Sequence, residues 1–153
     1  MTWRRATAED AVALRDLERA ANVVGLAHVF GDRPFPDEGV LARWRATLAE
    51  PGVEVRLTDG ALCAWDDTGR VRHLAVHPDR WGQGLGRTGL GLAVTDLRAR
   101  GVAPWLWALQ ANHRARRLYA HLGWEPTGRT QPAEWPPYPT ELQLRLPDSA
   151  HGR

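Results

Sequence analysis

The chain has 153 residues, 43% hydrophobic and 25% charged, which fits one globular domain and excludes an intrinsically disordered chain. Its 20 basic side chains, all arginine, oppose 18 acidic ones, and a formal charge of +2 is too small an excess for a nucleic-acid partner. No apolar run reaches the length of a membrane span, no signal-peptide core follows Met1, and the lone Cys63 has no internal disulfide partner, so a cytoplasmic protein without a membrane partner is expected. Residues 2–6 read as a short first strand. Thr7 then caps a helix, with Asp10 three residues on in the manner of a capping box, and Ala13, Leu17 and Ala20 or Ala21 form its apolar stripe. Gly31, Pro34 and Pro36 break the stretch 22–36 into irregular chain. A second helix starts near Asp37, sets Val40, Leu41, Trp44 and Leu48 on one face, and stops before Pro51.

Three strand-like runs follow, at 53–58, 61–65 and 71–76, with Asp59-Gly60 as the hairpin signal between the first two. A glycine-rich stretch opens a helix in which Leu90, Ala93, Val94 and Leu97 recur at helical spacing, with Gly101 as its C-cap. Residues 104–109 read as a strand, and Asn112 caps a helix over 113–122 that Gly123 ends. An alternating strand at 140–146 closes the chain, with a frayed tail at 148–153. Helices first, then a meander, then strand–helix–strand–helix–strand, give an α/β domain over residues 1–147. Its sheet is mixed, mostly antiparallel and twisted, and about four helices flank it.

The segment from His73 to Thr88 has the order strand, turn, glycines, helix. Glycines let a ligand approach the backbone closely, and the free N–H groups at a helix start point toward negative charge, so such a turn suits a pyrophosphate. A Walker P-loop needs a lysine, and the chain has none. Gly84-x-Gly86-x-x-Gly89 matches a dinucleotide-binding fingerprint, but too many residues separate Val76 from Gly84, and the strand ending at Leu109 leads to Gln110-Ala111 rather than an acid for ribose.

A third pattern fits. Val76-x-Pro78 followed by Gly82-x-Gly84-x-Gly86 resembles the acetyl-CoA-binding signature of the GNAT superfamily of N-acetyltransferases. Downstream, Leu106-x-Ala108, Asn112, Ala115, Leu118-Tyr119 and Gly123-Trp124 resemble the second signature of that family. The resemblance covers Val71 to Trp124 closely and the flanking elements in order only. It implies a GNAT-like fold and an acetyltransferase with acetyl-CoA as acetyl donor, no metal, and a small-molecule or peptide amine as acceptor. The pantetheine arm would lie on the backbone of Leu74, Ala75 and Val76, and on Asn112. The pyrophosphate would sit on Gly82, Gln83, Gly84, Leu85, Gly86 and Arg87, with Thr88 close behind. Tyr119 matches the tyrosine near the cofactor sulfur, where it would act as general acid toward the thiolate; as a plain core aromatic it would pack with Leu118 and Leu122. Trp81 stands where the family often has Gln or Arg. Trp107 stands where acetylases of ribosomal N-termini carry a glutamate, which disfavours that substrate class.

His73, beside the pantetheine segment, is the candidate general base because imidazole titrates near neutrality; Glu54, Asp66 or a water are its rivals. His73 and His77 stand about 13 Å apart along a strand, too far to share a metal ion. Arg114, Arg116 and Arg117 form either a solvated face or a contact for the cofactor's phosphates. On the acceptor side, residues 22–44 and 130–139 are expected to form the pocket, and the segment from Glu134 to Pro139 would wall it or serve a homodimer contact.

Overall fold

The computed structural model describes residues 2–148, so the expected tail falls outside the described residues from position 149 onward. The chain begins with β1 (Arg4–Arg5) and one turn of 3-10 helix at Ala8–Asp10. The Asp10 carboxylate accepts the Thr7 backbone N–H at 2.7 Å and a two-pronged bond from Arg4. Together these partners pull its pKa down to about 2.

Helix α1 (Ala11–Gly25) follows, with Ala11 and Leu14 buried. Ala13, expected on the apolar stripe, is exposed, because the inward ridge runs through buried Ala11 and Leu14 to half-buried Leu17. The stretch from residue 22 is more ordered than its prolines suggest. Helix α1 persists to Gly25 and a one-turn α2 (Ala27–Phe30) comes before the break at Gly31. Helix α3 (Asp37–Ala49) buries Val40 and Trp44 as expected, and Thr47 as well, its hydroxyl satisfied by the Arg43 carbonyl.

The meander consists of β2 (Val53–Thr58), β3 (Ala61–Asp66) and β4 (Arg70–Val76), and every residue of β3 is buried. A 3-10 turn at Pro78–Arg80 leads to α4 (Leu85–Ala99), then β5 (Trp105–Leu109) and α5 (His113–His121). The last hairpin joins β6 (Glu125–Pro132) to β7 (Thr140–Arg145). Strand β6 is absent from the sequence reading for a physical reason. It is an edge strand exposed along its whole length, interrupted by Pro126 and Gly128, and carries no alternation.

Among the described residues seven strands lie in the order β1-β2-β3-β4-β5-β7-β6, with β4–β5 the one parallel pair and the rest antiparallel. Two cores flank this sheet. Helices α4 and α5 pack Leu90, Leu97 and Tyr119 on one face, while α1 and α3 pack Leu14, Val40 and Trp44 on the other. This is the mixed, mostly antiparallel α/β sheet expected, with four helices of nine residues or more around it. No helix among the described residues is long and apolar enough to cross a membrane.

Candidate active site

The site begins where the parallel pair fails. The Trp105 N–H donates to the Gly69 carbonyl at 3.0 Å, and a Cβ on Gly69 (φ +98°) would lie 2.2 Å from the Ala103 oxygen, so only glycine permits this approach. Pairing then covers just Arg70–Trp105 and Val71–Leu106. On the other side β4 stays paired with β3 from Val71 to Val76, with Arg72 bulged out between two pairs. Strands β4 and β5 are therefore pinned at one end and diverge toward Val76 and Leu109. The backbone of β4 beyond Val71 has no strand partner on the β5 side.

At the open end stands the glycine turn. Gly84 is the N-cap of α4 with φ +77°, and Gly82 has φ +81°. A Cβ on either would meet nothing within 4 Å, so the approach to this helix start is open. Gly86 differs: a Cβ there would meet Leu118 at 3.2 Å, which makes it a packing glycine between α4 and α5. A groove of about 290 Å³ runs from the turn into the strand divergence. Leu74, Ala75, Val76, Gly82, Gly84, Leu85, Gly86, Arg87 and Asn112 all line it. Gln83 and Thr88 do not, and the Thr88 hydroxyl turns back onto the Gly84 carbonyl at 2.8 Å. Asn112 caps α5, its side-chain oxygen accepting the Ala115 N–H at 3.3 Å.

Trp81 sits in the groove wall. Its indole N–H donates to the Val76 carbonyl at 3.0 Å, and the Arg114 guanidinium lies 3.8 Å from its ring centroid. Arg114 thus belongs to the groove, whereas Arg116 is turned to the Gln110 carbonyl.

Tyr119 and His73 reach the divergence from opposite faces of the sheet. Tyr119 belongs to the α4–α5 core, with the Trp124 ring 6.0 Å away, and it opens onto the groove. His73, paired with Ala64, faces the α1–α3 side, where its ring lies 4.8 Å from that of Trp44. Both side chains line one cavity of about 230 Å³ between β4 and β5. Burial, and then Cys63, push the Tyr119 phenol above its ordinary pKa, so it carries its proton at any working pH. Cys63 itself is a fully buried thiol pushed up to about 12, an inert core residue. Burial first, then Arg43, Arg70 and Arg72, hold the His73 imidazole well below its ordinary pKa, so it is neutral near pH 7.

The rival bases are elsewhere. Glu54 pairs with Arg5 at 3.1 Å on β2, and buried Asp66 is held by Arg72 at 2.7 Å and by the Thr68 backbone; neither lines the cleft. A carboxylate that the sequence did not single out does reach it. Glu18 of α1 lines the cavity of His73 and Tyr119 and also a second cavity of about 400 Å³ beneath α1, α2 and α3. Residues 22–40 and 135–136 supply most of that second lining, within the two segments expected on the acceptor side. Helix α2 is fastened over the cleft, with His28 Nε2 at 2.6 Å from the Ala111 carbonyl and its ring stacked on His113.

A mixed sheet split at its one parallel pair, with a glycine-rich helix start at the mouth of the split, is the frame on which this cleft is built. The chain belongs to the acetyltransferase (GNAT) family, whose family model matches residues 14–124. Among curated relatives, a mycothiol acetyltransferase of Beutenbergia cavernae is 43% identical over 76 residues, covering 44% of this chain. The match spans 26% of that relative's length, about a quarter of it. Among solved structures, a GCN5-related N-acetyltransferase from Rhodopseudomonas palustris is similar with a TM-score of 0.78 at 16% identity, over 95% of this chain and 94% of that one. YncA of Salmonella typhimurium, a putative acetyltransferase solved with acetyl-CoA, gives 0.67 at 22% identity, over 100% and 96%. At these identities the likeness is one of fold.

Proposed function

We propose that this chain transfers the acetyl group of acetyl-CoA to a primary amine by direct attack in a ternary complex. Family membership supports acetyl transfer. The observation that carries the finer reading is the divergence of β4 from β5 after Val71 and Leu106, with Tyr119 and His73 opening into it from opposite faces. Bound acetyl-CoA supplies an activated thioester. The edge of β4 beyond Val71, which has no strand partner, and the helix start at Gly84 fit an extended amide-bearing arm ending in a pyrophosphate.

The protein's own groups then divide the protons. His73, neutral at pH 7, accepts the amine's proton as the C–N bond forms. A β4 amide near Val76 donates to the oxyanion. Tyr119 donates its proton to the sulfur as the C–S bond breaks. A phenol with a raised pKa is a poor acid toward a thiolate in water. In the same desolvated cleft the thiolate's own affinity for a proton rises too, as burial alone does to Cys63.

The test is release of free thiol from acetyl-CoA across a broad amine panel, with calorimetric titration of CoA alongside. Thiol release that depends on the amine is the expected result. CoA binding without turnover by any amine would identify a CoA-binding module instead.

A further inference from the structure

Resting on that reading, we infer that the acceptor is a single primary amine carried on an apolar, ring-sized body, with its nitrogen held by Glu18. The cavity under α1–α3 carries the rings of Phe30, Phe35 and Trp135 together with Leu26, Val40 and Pro36. At about 400 Å³ it stands near the lower end of the range of small-molecule sites, about 300–1,000 Å³. Trp135 is fixed there by a local device. A Cβ on Gly39 of α3 would lie 2.8 Å from the Trp135 ring, so glycine makes the seat on which the indole rests.

Glu18 stands at the junction, lining both this cavity and the cleft of His73 and Tyr119. Its side chain is 13% exposed, and its Oε1 accepts both from Arg43 and from the Trp44 indole N–H at 2.9 Å. Oε2 is left for an incoming N–H. The same Trp44 ring packs against His73, and Glu18 and His73 line one cleft, so the indole links the proposed amine seat to the candidate base. Arg43 already balances the charge of Glu18, and Asp32 is the one other carboxylate among the cavity's lining residues. A polycation needs several carboxylates along its length, and this cavity offers aromatic faces in their place.

Phenethylamine, ethylamine and spermidine at saturating acetyl-CoA form the test. Phenethylamine is expected to have the lowest KM, and Glu18→Gln to raise that KM about 10-fold or more with the acetyl-CoA KM unchanged. Gly39→Ala favours the helix and displaces the Trp135 ring; in a variant whose melting curve shows it folded, it is expected to raise the phenethylamine KM while sparing ethylamine. Spermidine acetylated as well as phenethylamine, or a folded Glu18→Gln with an unchanged amine KM, overturns the inference. If no amine is acetylated, titration of the CoA-loaded protein with phenethylamine decides. Binding lost in Glu18→Gln upholds the acceptor class while the catalytic reading fails, and no binding in the parent protein overturns the class itself.

Discussion

The two sides of the split sheet are built by different means. On the proposed donor side, β4, α4, β5 and α5 present backbone: strand edge, helix start and positive-φ glycines, all within residues 70–121. On the proposed acceptor side, side chains from α1, α2, α3 and the β6–β7 loop meet, from segments about a hundred residues apart. A backbone site tolerates many sequences but demands fixed spacing, because glycines and caps must fall at set positions. A side-chain site demands particular residues but no spacing, since tertiary packing brings them together. A donor-side change should therefore strike CoA affinity or the chemistry, and an acceptor-side change such as Glu18→Gln the amine alone.

The sharpest way to break this contrast is Gly84→Val. The left-handed φ of +77° costs a β-branched residue about 1–2 kcal/mol or more in stability. The side chain would also fill the open approach to the helix start, and CoA affinity should fall about 100-fold or more. Titration calorimetry paired with a melting curve checks both. Gly86→Val should behave differently, since its Cβ meets Leu118 and disturbs α5 rather than the ligand's path. Unchanged CoA affinity in a folded Gly84→Val protein would remove the pyrophosphate from this turn.

How much of this was legible follows the same division. The glycines of the turn were readable from their spacing, Asn112 and Tyr119 only from the resemblance to the family signature, and Gly82, Gly84, Gly86, Asn112 and Tyr119 all line the groove. Gly86 was readable as a glycine but not as a packing glycine, since Leu118 reaches it only through the α4–α5 contact. Glu18 carried no signal: a glutamate on an amphipathic helix looks like a solvated one until Arg43 and Trp44 of α3 are folded against it. Strand β6 was hidden because an exposed edge needs no apolar alternation. Helix α2 was hidden because one turn is too short to show a period.

Within the donor side, Tyr119→Phe separates chemistry from binding. The ring keeps its packing with Trp124, and no hydrogen bond of the hydroxyl holds the fold, so the melting temperature should move little. Loss of the proposed proton donor should lower kcat by about 100-fold, with CoA affinity nearly preserved. A parent-like kcat would mean that water protonates the thiolate.

The smallest expected effect is on pH dependence, and it concerns the residue that faces the acceptor side from a donor strand. His73 is held neutral by burial and by Arg43, Arg70 and Arg72. As a base it is then active at neutral and mildly acidic pH, and the acidic limb of the rate should lie below about pH 6.5, the ordinary imidazole value. The same shift acts on stability. Protonating His73 is harder in the folded chain than in the unfolded one, so below about pH 6.5 the unfolded chain binds more protons. Stability contributed by the neutral imidazole is therefore present above that pH and is lost as pH falls toward the folded value. His73→Gln should remove both dependences together, slowing the reaction, flattening its acidic limb and making the decline in melting temperature between pH 7 and pH 5 shallower. Rates and melting curves across that range check the pair. A flattened stability profile with an unchanged rate profile would leave His73 as a buried imidazole packed on Trp44 and move the proton to water.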